Sequence, residues 1–202
     1  MKTFSRLCRS EDAASAAEFG LVLPLLILLL LGVIDAGRYM WEWNEAEKAT
    51  QMGVRYAVVT DPALNGLSSY SFSLSGGVTQ GSPVPTSSFD TATCTSANCS
   101  CTGASGFCSA TSLNSTAFGY VVTRMASMYP QIKAANVNID YKNVGLGFAG
   151  DPNGPDVSPL VTVRLTGLQF KPISCLIFGC TVSMPDFRAS LTLEDATGTV
   201  SN

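Results

Sequence analysis

Residues 13–38, AASAAEFGLVLPLLILLLLGVIDAGR, decide the architecture of this 202-residue chain. Sixteen consecutive positions in this stretch, Phe19–Ile34, carry no charge. A helix of that length extends about 24 Å, which is short of a hydrocarbon core unless the small residues on both sides contribute. The stretch therefore predicts one membrane-spanning helix that begins among the alanines and continues past Ile34.

A cleaved secretory signal peptide is the alternative interpretation of the same stretch. Signal peptides carry their small-residue cleavage site after the apolar region, whereas the alanine cluster here, residues 13–17, precedes it. The apolar run is followed by Asp35 and then by three aromatic residues of the kind found at membrane interfaces: Tyr39, Trp41 and Trp43. These features favour a retained anchor.

The distribution of basic residues predicts the orientation of that anchor. Lys2, Arg6 and Arg9 precede the apolar stretch, whereas Arg38 beyond it is followed by three glutamates within ten residues. Because basic residues concentrate on the cytoplasmic side of a membrane segment, we expect a cytoplasmic N-terminus and an exported remainder.

The seven cysteines divide in the same way. Cys8 lies before the apolar stretch, and six cysteines lie after it: Cys94, Cys99, Cys101, Cys108, Cys175 and Cys180. Six on one side predict disulfides in an oxidising compartment, with a reduced thiol on the other side. The four clustered cysteines lack the Cys-x2-Cys pairs of a zinc site, so two disulfides of open pairing are expected there, and a third can close between Cys175 and Cys180.

Composition excludes several functional classes. The chain has 12 basic and 15 acidic residues and no histidine, and it lacks a basic stripe for nucleic acid. No Gly-x-Ser-x-Gly or Ser-x-x-Lys motif occurs in the exported part, although a carboxylate pair assembled by folding stays open. We therefore expect that the chain is not an enzyme and binds no cofactor or metal. Calcium ligation by Asp151, Asn153 and Asp156 is an alternative, but the sequence of this segment is first of all typical of a turn.

Glu18 is a carboxylate at the edge of an apolar helix, where it is costly and needs a reason. Ser15 and Glu18 have the spacing of a helix-capping box. Alternatively, Glu18 belongs to a processing and assembly site: a cut between Ala13 and Ala14 would place the new amine four residues before Glu18, within salt-bridge reach. Both interpretations stay open on spacing alone.

An apolar stripe at helical spacing continues the helix beyond the membrane, over Ala36–Val59, until Asp61 and Pro62 stop it. Its principal members are Tyr39, Trp43, Gly53 and Tyr56. The stripe packs either on the chain's own domain or against helices of partner subunits, and one subunit could do both.

The rest of the chain predicts short strands, loops and one helix. Three segments alternate polar and apolar residues at strand period: Ser68–Ser75, Val137–Tyr141 and Leu160–Leu168. Phe187–Leu193 is expected to pair antiparallel with the last of them. A helix is expected over Asn114–Tyr129, capped by Asn114 or Ser115, and the polar residues 194–202 are expected to be loose.

The predicted fold class is α+β: a long transmembrane-plus-extension helix, then a small, mainly antiparallel sheet domain with one helix and disulfide-stapled loops. Residues 1–13 would form a cytosolic leader, residues 14–59 the transmembrane and extended amphipathic helix, and residues 60–202 the exported globular domain. The apolar loop tip at 176–178 is either core or a docking contact with the membrane or a partner.

Across Ala14–Ala57 the sequence resembles the TadE-like family of tight-adherence pilus systems. Three stretches carry the resemblance: AEFGLVLP at 17–24, GVIDAGR at 32–38 and GVRYA at 53–57. The resemblance implies a minor pseudopilin held in the bacterial inner membrane by a single pass, with a periplasmic C-terminal domain. Its implied partners are pilin or pseudopilin subunits, inner-membrane pilus assembly proteins and a prepilin peptidase.

The resemblance also implies roles for particular residues. The peptidase would cut between Ala13 and Ala14, and Glu18 with Phe19 would complete the processing and assembly site. The expected function is structural, through helix packing with partner subunits in a tight-adherence pilus or related secretion system. The alternative is a membrane-tethered adhesin or surface-binding module whose Ser/Thr-rich disulfide loop contacts a ligand. Whether the subunit enters the filament or only assists assembly is open.

Overall fold

The computed structural model describes residues 11–103, 106–152, 154–175 and 179–199. Its helices are α1 (Glu11–Val59), α2 (Gly106–Ala110), α3 (Ser115–Ala126) and a 3-10 turn at Ala134–Asn136. Its strands are β1 (Leu64–Asn65), β2 (Thr91–Cys94), β3 (Cys99–Thr102), β4 (Ser112–Leu113), β5 (Val137–Lys142), β6 (Leu160–Leu165), β7 (Gln169–Phe170), β8 (Val182–Ser183) and β9 (Phe187–Thr192). The long first helix followed by antiparallel strands confirms the α+β prediction.

The chain divides into two compact units. The first unit contains the described residues up to Glu42 together with Gln169–Val182. The second unit contains Trp43–Leu168 and the described residues from Ser183 onward. The last part of α1, residues 43–59, therefore groups with the sheet and not with the apolar stretch.

A five-stranded antiparallel sheet forms the centre of the second unit, in the order β3-β2-β5-β6-β9. β6 pairs with β9 so that Leu165 lies opposite Phe187 and Leu160 opposite Thr192, which confirms the predicted antiparallel pair. Alternate residues of β5 and β6 share one face and are buried: Val137, Ile139, Tyr141, Val161, Val163 and Leu165. That face carries the core of the unit.

Two predicted strands differ from the structure. The strand expected over Leu160–Leu168 ends at Leu165, because the chain turns at Gly167, whose φ is +70°. The strand expected over Ser68–Ser75 is wrong. This segment forms turns in which Ser75 N–H donates to Ser71 C=O and Gly76 N–H to Phe72 C=O.

Phe72 anchors these turns in a cluster of aromatic side chains. Its ring lies 5.5 Å from that of Phe107 and 6.4 Å from that of Phe89, and all three residues are fully buried. Phe107 is on α2, a short helix that the sequence did not predict. Phe72 N–H also donates to the carboxylate of Asp156 at 2.7 Å, so this carboxylate, considered above for calcium, holds the turns. Asn153 lies outside the described residues.

The second predicted helix is present as α3, three residues shorter at its C-terminal end than expected. Asn114 is its N-cap, and the Asn114 side chain accepts a hydrogen bond from Ala117 N–H at 3.1 Å. The buried face of α3 includes Phe118, Val121 and Met125. This cap confirms one of the two predicted alternatives.

Tyr141 joins the sheet to the segment that follows α1. The Tyr141 side chain is fully buried on β5, and its hydroxyl oxygen accepts a hydrogen bond from Ala63 N–H at 2.9 Å. Burial raises the pKa of Tyr141 above its usual range, because an ionised phenol is costly in an apolar interior. The phenol therefore stays neutral and satisfies a buried backbone amide.

The C-terminal segment is packed as far as residue 199, so the prediction of a loose tail is wrong for its described part. Glu194 N–H donates to Val58 C=O at 3.0 Å, and Asp61 N–H donates to Gly198 C=O at 2.8 Å. Gly198 N–H returns a hydrogen bond to the Asp61 carboxylate at 2.9 Å, and Ala196 is buried. The segment is polar in composition, so nothing in its sequence indicates its backbone hydrogen bonds with the end of α1 and with Asp61.

Three disulfides are formed. Cys94 pairs with Cys99 and closes the hairpin of β2 and β3, while Cys101 pairs with Cys108 and joins β3 to α2. Cys175 pairs with Cys180, as predicted. The structure thus gives the pairing that sequence spacing left open; Cys8 and the loop tip at 176–178 lie outside the described residues.

Candidate assembly helix and its attached loop

The apolar part of α1 has the dimensions of a membrane span. Within Ser15–Val59 an 18-residue window reaches a mean hydropathy of 2.6, and none of that window is buried. By length and composition this is the one helix of the described chain that could cross a membrane, although a signal sequence near an N-terminus meets the same test. Pro24 lies inside the helix, where it lacks the N–H that would donate to residue 20.

The predicted processing and assembly residues all lie in α1. The helix begins at Glu11, so Ala13, Ala14, Glu18 and Phe19 follow its first residues. Ser15 lies inside the helix and is not its N-cap, so the capping-box interpretation of Glu18 is wrong for this chain.

Glu18 and Phe19 project from the surface of this helix. Both residues are exposed, Phe19 with 64% of its surface accessible. Glu18 makes no ion pair or hydrogen bond with any residue that the structure describes. A carboxylate at the edge of an apolar surface is thus available to a group from outside the described chain.

Within their own units, the first two predicted helix-packing residues contact aromatic rings of the same chain. In the first unit the Tyr39 ring lies edge-on to Phe170, with 5.3 Å between centroids. In the second unit the Trp43 ring lies edge-on to Phe187, also at 5.3 Å. Edge-to-face pairs of this kind add to the stabilisation from burial.

The other two predicted packing residues lie in the core of the second unit. A Cβ atom on Gly53 would lie 2.7 Å from Cγ of Met125, so α1 and α3 approach closely there. Tyr56 is buried, and its hydroxyl donates to the backbone carbonyl of Thr199. The predicted stripe therefore packs on its own chain, the first of the two alternatives; contact with partner helices stays a prediction.

The opposite face of α1 is exposed. Met40 and Trp41 have 63% and 67% of their surface accessible. Exposed residues continue along the helix at spacings of three and four: Asn44, Glu47, Lys48, Gln51 and Arg55. These side chains are accessible to solvent.

Asp35 forms a site that sequence reasoning missed. Its carboxylate, in the first unit, accepts hydrogen bonds from Ile173 N–H at 2.6 Å, from Ser174 N–H at 2.8 Å and from the Ser174 hydroxyl at 2.7 Å. Asp35 is 6% exposed. The sequence signal for this site was an aspartate directly after the apolar run. An acidic residue at such a position usually pairs with another polar or charged group.

Arg38 completes this site from the next turn of α1. One guanidinium nitrogen lies 3.5 Å from the Asp35 carboxylate and 3.4 Å from Lys171 C=O, and the other lies 3.5 Å from Glu42. The guanidinium carbon also lies 5.3 Å from the centroid of the Phe170 ring. Asp35 and Arg38 together fasten the loop at residues 171–174, which follows β7, to α1 within the first unit.

Replacing Asp35 with alanine is expected to free this loop. Two backbone N–H groups lose a charged acceptor, so the amides of Ile173 and Ser174 should exchange with solvent about tenfold faster or more. Hydrogen–deuterium exchange of the full chain in detergent micelles measures this. Glu47→Ala, an exposed change on the same helix, is the control, and equal exchange in both variants would contradict the assignment.

The family model described as TadE-like protein matches residues 13–55. The match begins at the proposed cleavage site and ends at Arg55, so it covers the apolar stretch, Asp35 and Arg38. It confirms the resemblance drawn from the sequence, and a TadE-like match suggests a Tad pilus-associated protein. No curated protein and no solved structure matches the chain.

Proposed function

We propose that the chain is a minor pseudopilin, a structural subunit that helps to assemble a tight-adherence pilus or a related secretion system. The observation that carries this proposal is the coincidence of the TadE-like match, residues 13–55, with an exposed apolar helix. The subunit would act by packing α1 against helices of other pilin or pseudopilin subunits and not by catalysis.

The membrane part of α1 has a surface suited to such packing. Gly32 and Ala36 are four residues apart, and a Cβ added to Gly32 would meet nothing within 4 Å. Small residues at this spacing let two helix backbones approach closely, which stabilises helix pairs in lipid, where apolar burial gives no advantage. Gly37 is equally open, so this stretch is the proposed first contact with a partner helix.

Beyond the membrane, partner contacts are assigned to the exposed side chains of Met40 and Trp41. Tyr39, Trp43, Gly53 and Tyr56 then hold α1 on its own chain. The ring contacts of Tyr39 and Trp43 and the burial of Gly53 and Tyr56 support this role. The partners are proposed to be pilin or pseudopilin subunits and inner-membrane assembly proteins.

The proposed topology places residues 1–13 in the cytoplasm and residues 60–202 in the periplasm. The three disulfides support this arrangement, because all their cysteines follow the apolar helix and disulfides persist in oxidising compartments. Residues 14–59 would form the retained helix after a prepilin peptidase removes the leader between Ala13 and Ala14.

The N-terminal sequence and intact mass of the chain, recovered from bacterial membranes under non-reducing conditions, test this proposal. We expect a first residue of Ala14 and a mass that shows three disulfides. A chain that starts at Met1 would contradict processing and leave a static anchor. A chain that starts beyond Ala36 would overturn the proposal in favour of a secreted protein.

A further inference from the structure

A groove of about 340 Å³ opens in the second unit beside the last turns of α1. Three elements supply its walls: α1, α3 and the end of β9. The side chains that matter for its chemistry are Met52, Arg55, Val59, Arg124, Leu191 and Glu194. None of the functions discussed above uses this groove.

The floor of the groove is a part of the core face that the helices leave uncovered. Leu191 on β9 lies opposite Val161 on β6, and residues opposite each other in a sheet point to the same face. Val161 is fully buried, whereas 40% of Leu191 is exposed. Together with Met52 and Val59, Leu191 forms an apolar notch in the wall of the groove.

Two arginines flank the notch. Arg55 comes from α1 and Arg124 from α3, and neither guanidinium makes an ion pair or hydrogen bond with a residue that the structure describes. Among the described lining residues, Glu194 is the one acidic side chain. The groove is therefore positively charged on a chain whose net charge is -3.

The strand beside the groove has an open edge. β9 is the last strand of the sheet, and its outer side pairs with no described strand. An unpaired strand edge presents free backbone N–H and C=O groups and accepts an extended chain as a further strand. An extended occupant is therefore favoured over a helical one.

We propose that this groove binds an extended acidic segment of a partner protein. An apolar side chain of the segment enters the notch at Leu191, and neighbouring carboxylates pair with Arg55 and Arg124. Guanidinium groups match carboxylates in geometry as well as charge, and the apolar floor and strand edge select a peptide over an inorganic anion. The inference does not depend on α1 entering a filament, so it stands or falls separately from the pseudopilin proposal.

Selection from a random library of short linear peptides against the full chain in detergent micelles tests this inference. We expect the selected peptides to combine an apolar residue with glutamate or aspartate. Arg55→Glu and Arg124→Glu should each weaken binding of a selected peptide about tenfold or more. Lys142→Glu is the control for charge reversal, because Lys142 is exposed at the end of β5 and lies neither on β9 nor in the groove; binding to this variant should stay within about twofold of the wild type.

A gain of binding separates this result from damage to the fold. A selected peptide with lysines in place of its acidic residues should bind the Arg55→Glu, Arg124→Glu double variant more tightly than it binds the wild-type chain. Selection without enrichment of acidic residues, an equal loss of binding in Lys142→Glu, or no such gain would overturn the inference.

Discussion

Replacing Gly147 with alanine is expected to lower the free energy of unfolding of the second unit by about 3–5 kcal/mol. A Cβ atom at this position would lie 2.3 Å from the carbonyl oxygen of Asp156 and 2.7 Å from Cα of Val157. Both atoms belong to the backbone, so no rotation of a side chain can relieve the contact. The Gly147 φ of +110° adds strain that L-residues avoid.

Gly145→Ala is the control for this prediction. Gly145 also has a positive φ, +76°, but the nearest atom to an added Cβ is a Thr86 methyl carbon at 3.5 Å. This change should cost about 1–2 kcal/mol, because only the backbone conformation is penalised. Urea unfolding of the full chain in micelles, followed by near-UV circular dichroism, compares the two variants. Equal destabilisation would show that the close approach at Gly147 is not what the structure indicates.

The sequence predicted those elements whose signal is local and regular. The apolar run and the stop at Asp61 predict α1 to its last residue, Val59. Alternation over Leu160–Leu165 predicts β6, because each inward residue is buried against the same core. Asn114 or Ser115 predicts the start of α3, and Asn114 is the N-cap, which needs only a backbone N–H three residues later.

Elements stabilised by distant partners escaped prediction. Ser68–Ser75 alternates like a strand, but Phe72 in it is held by Asp156, 84 residues away. The pairing of Cys94 with Cys99 follows from the register of β2 and β3, which places these two residues opposite each other. Neither the register nor a distant hydrogen bond is encoded in local spacing.

The family motif marks the processing and assembly residues, which stay a prediction, whereas the Asp35 site was missed by sequence reasoning. Asp35 lies inside the matched stretch, yet its partner Ile173 is 138 residues away and carries no motif. The stripe from Tyr39 to Tyr56 was recognised as a packing face, but helical period cannot tell whether the same chain or another covers it. In the second unit, Gly53 and Tyr56 are buried against the same chain.

Glu18→Gln is expected to reduce incorporation of the subunit into the assembled pilus complex about tenfold or more. In the processing and assembly role considered for Glu18, its carboxylate would pair at the membrane edge with the new amine of Ala14, in its own helix or in a neighbouring subunit. Loss of one charge leaves the other unpaired in a medium of low dielectric constant, which is strongly unfavourable. Glutamine keeps the size and the hydrogen-bonding capacity of the side chain, so charge is the property removed.

Complementation of a bacterial strain that lacks the subunit, with quantitative recovery of the subunit in the pilus complex, measures this loss. Glu47→Gln is the matched control, because it makes the same chemical change at an exposed position of α1 outside the apolar stretch. The N-terminal sequence of the Glu18 variant distinguishes its two proposed roles. A variant that starts at Ala14 but is not incorporated has lost an assembly contact, whereas one that starts at Met1 has lost recognition by the peptidase. Normal cleavage together with normal incorporation would remove both roles from Glu18 and leave its exposed carboxylate without a function in assembly.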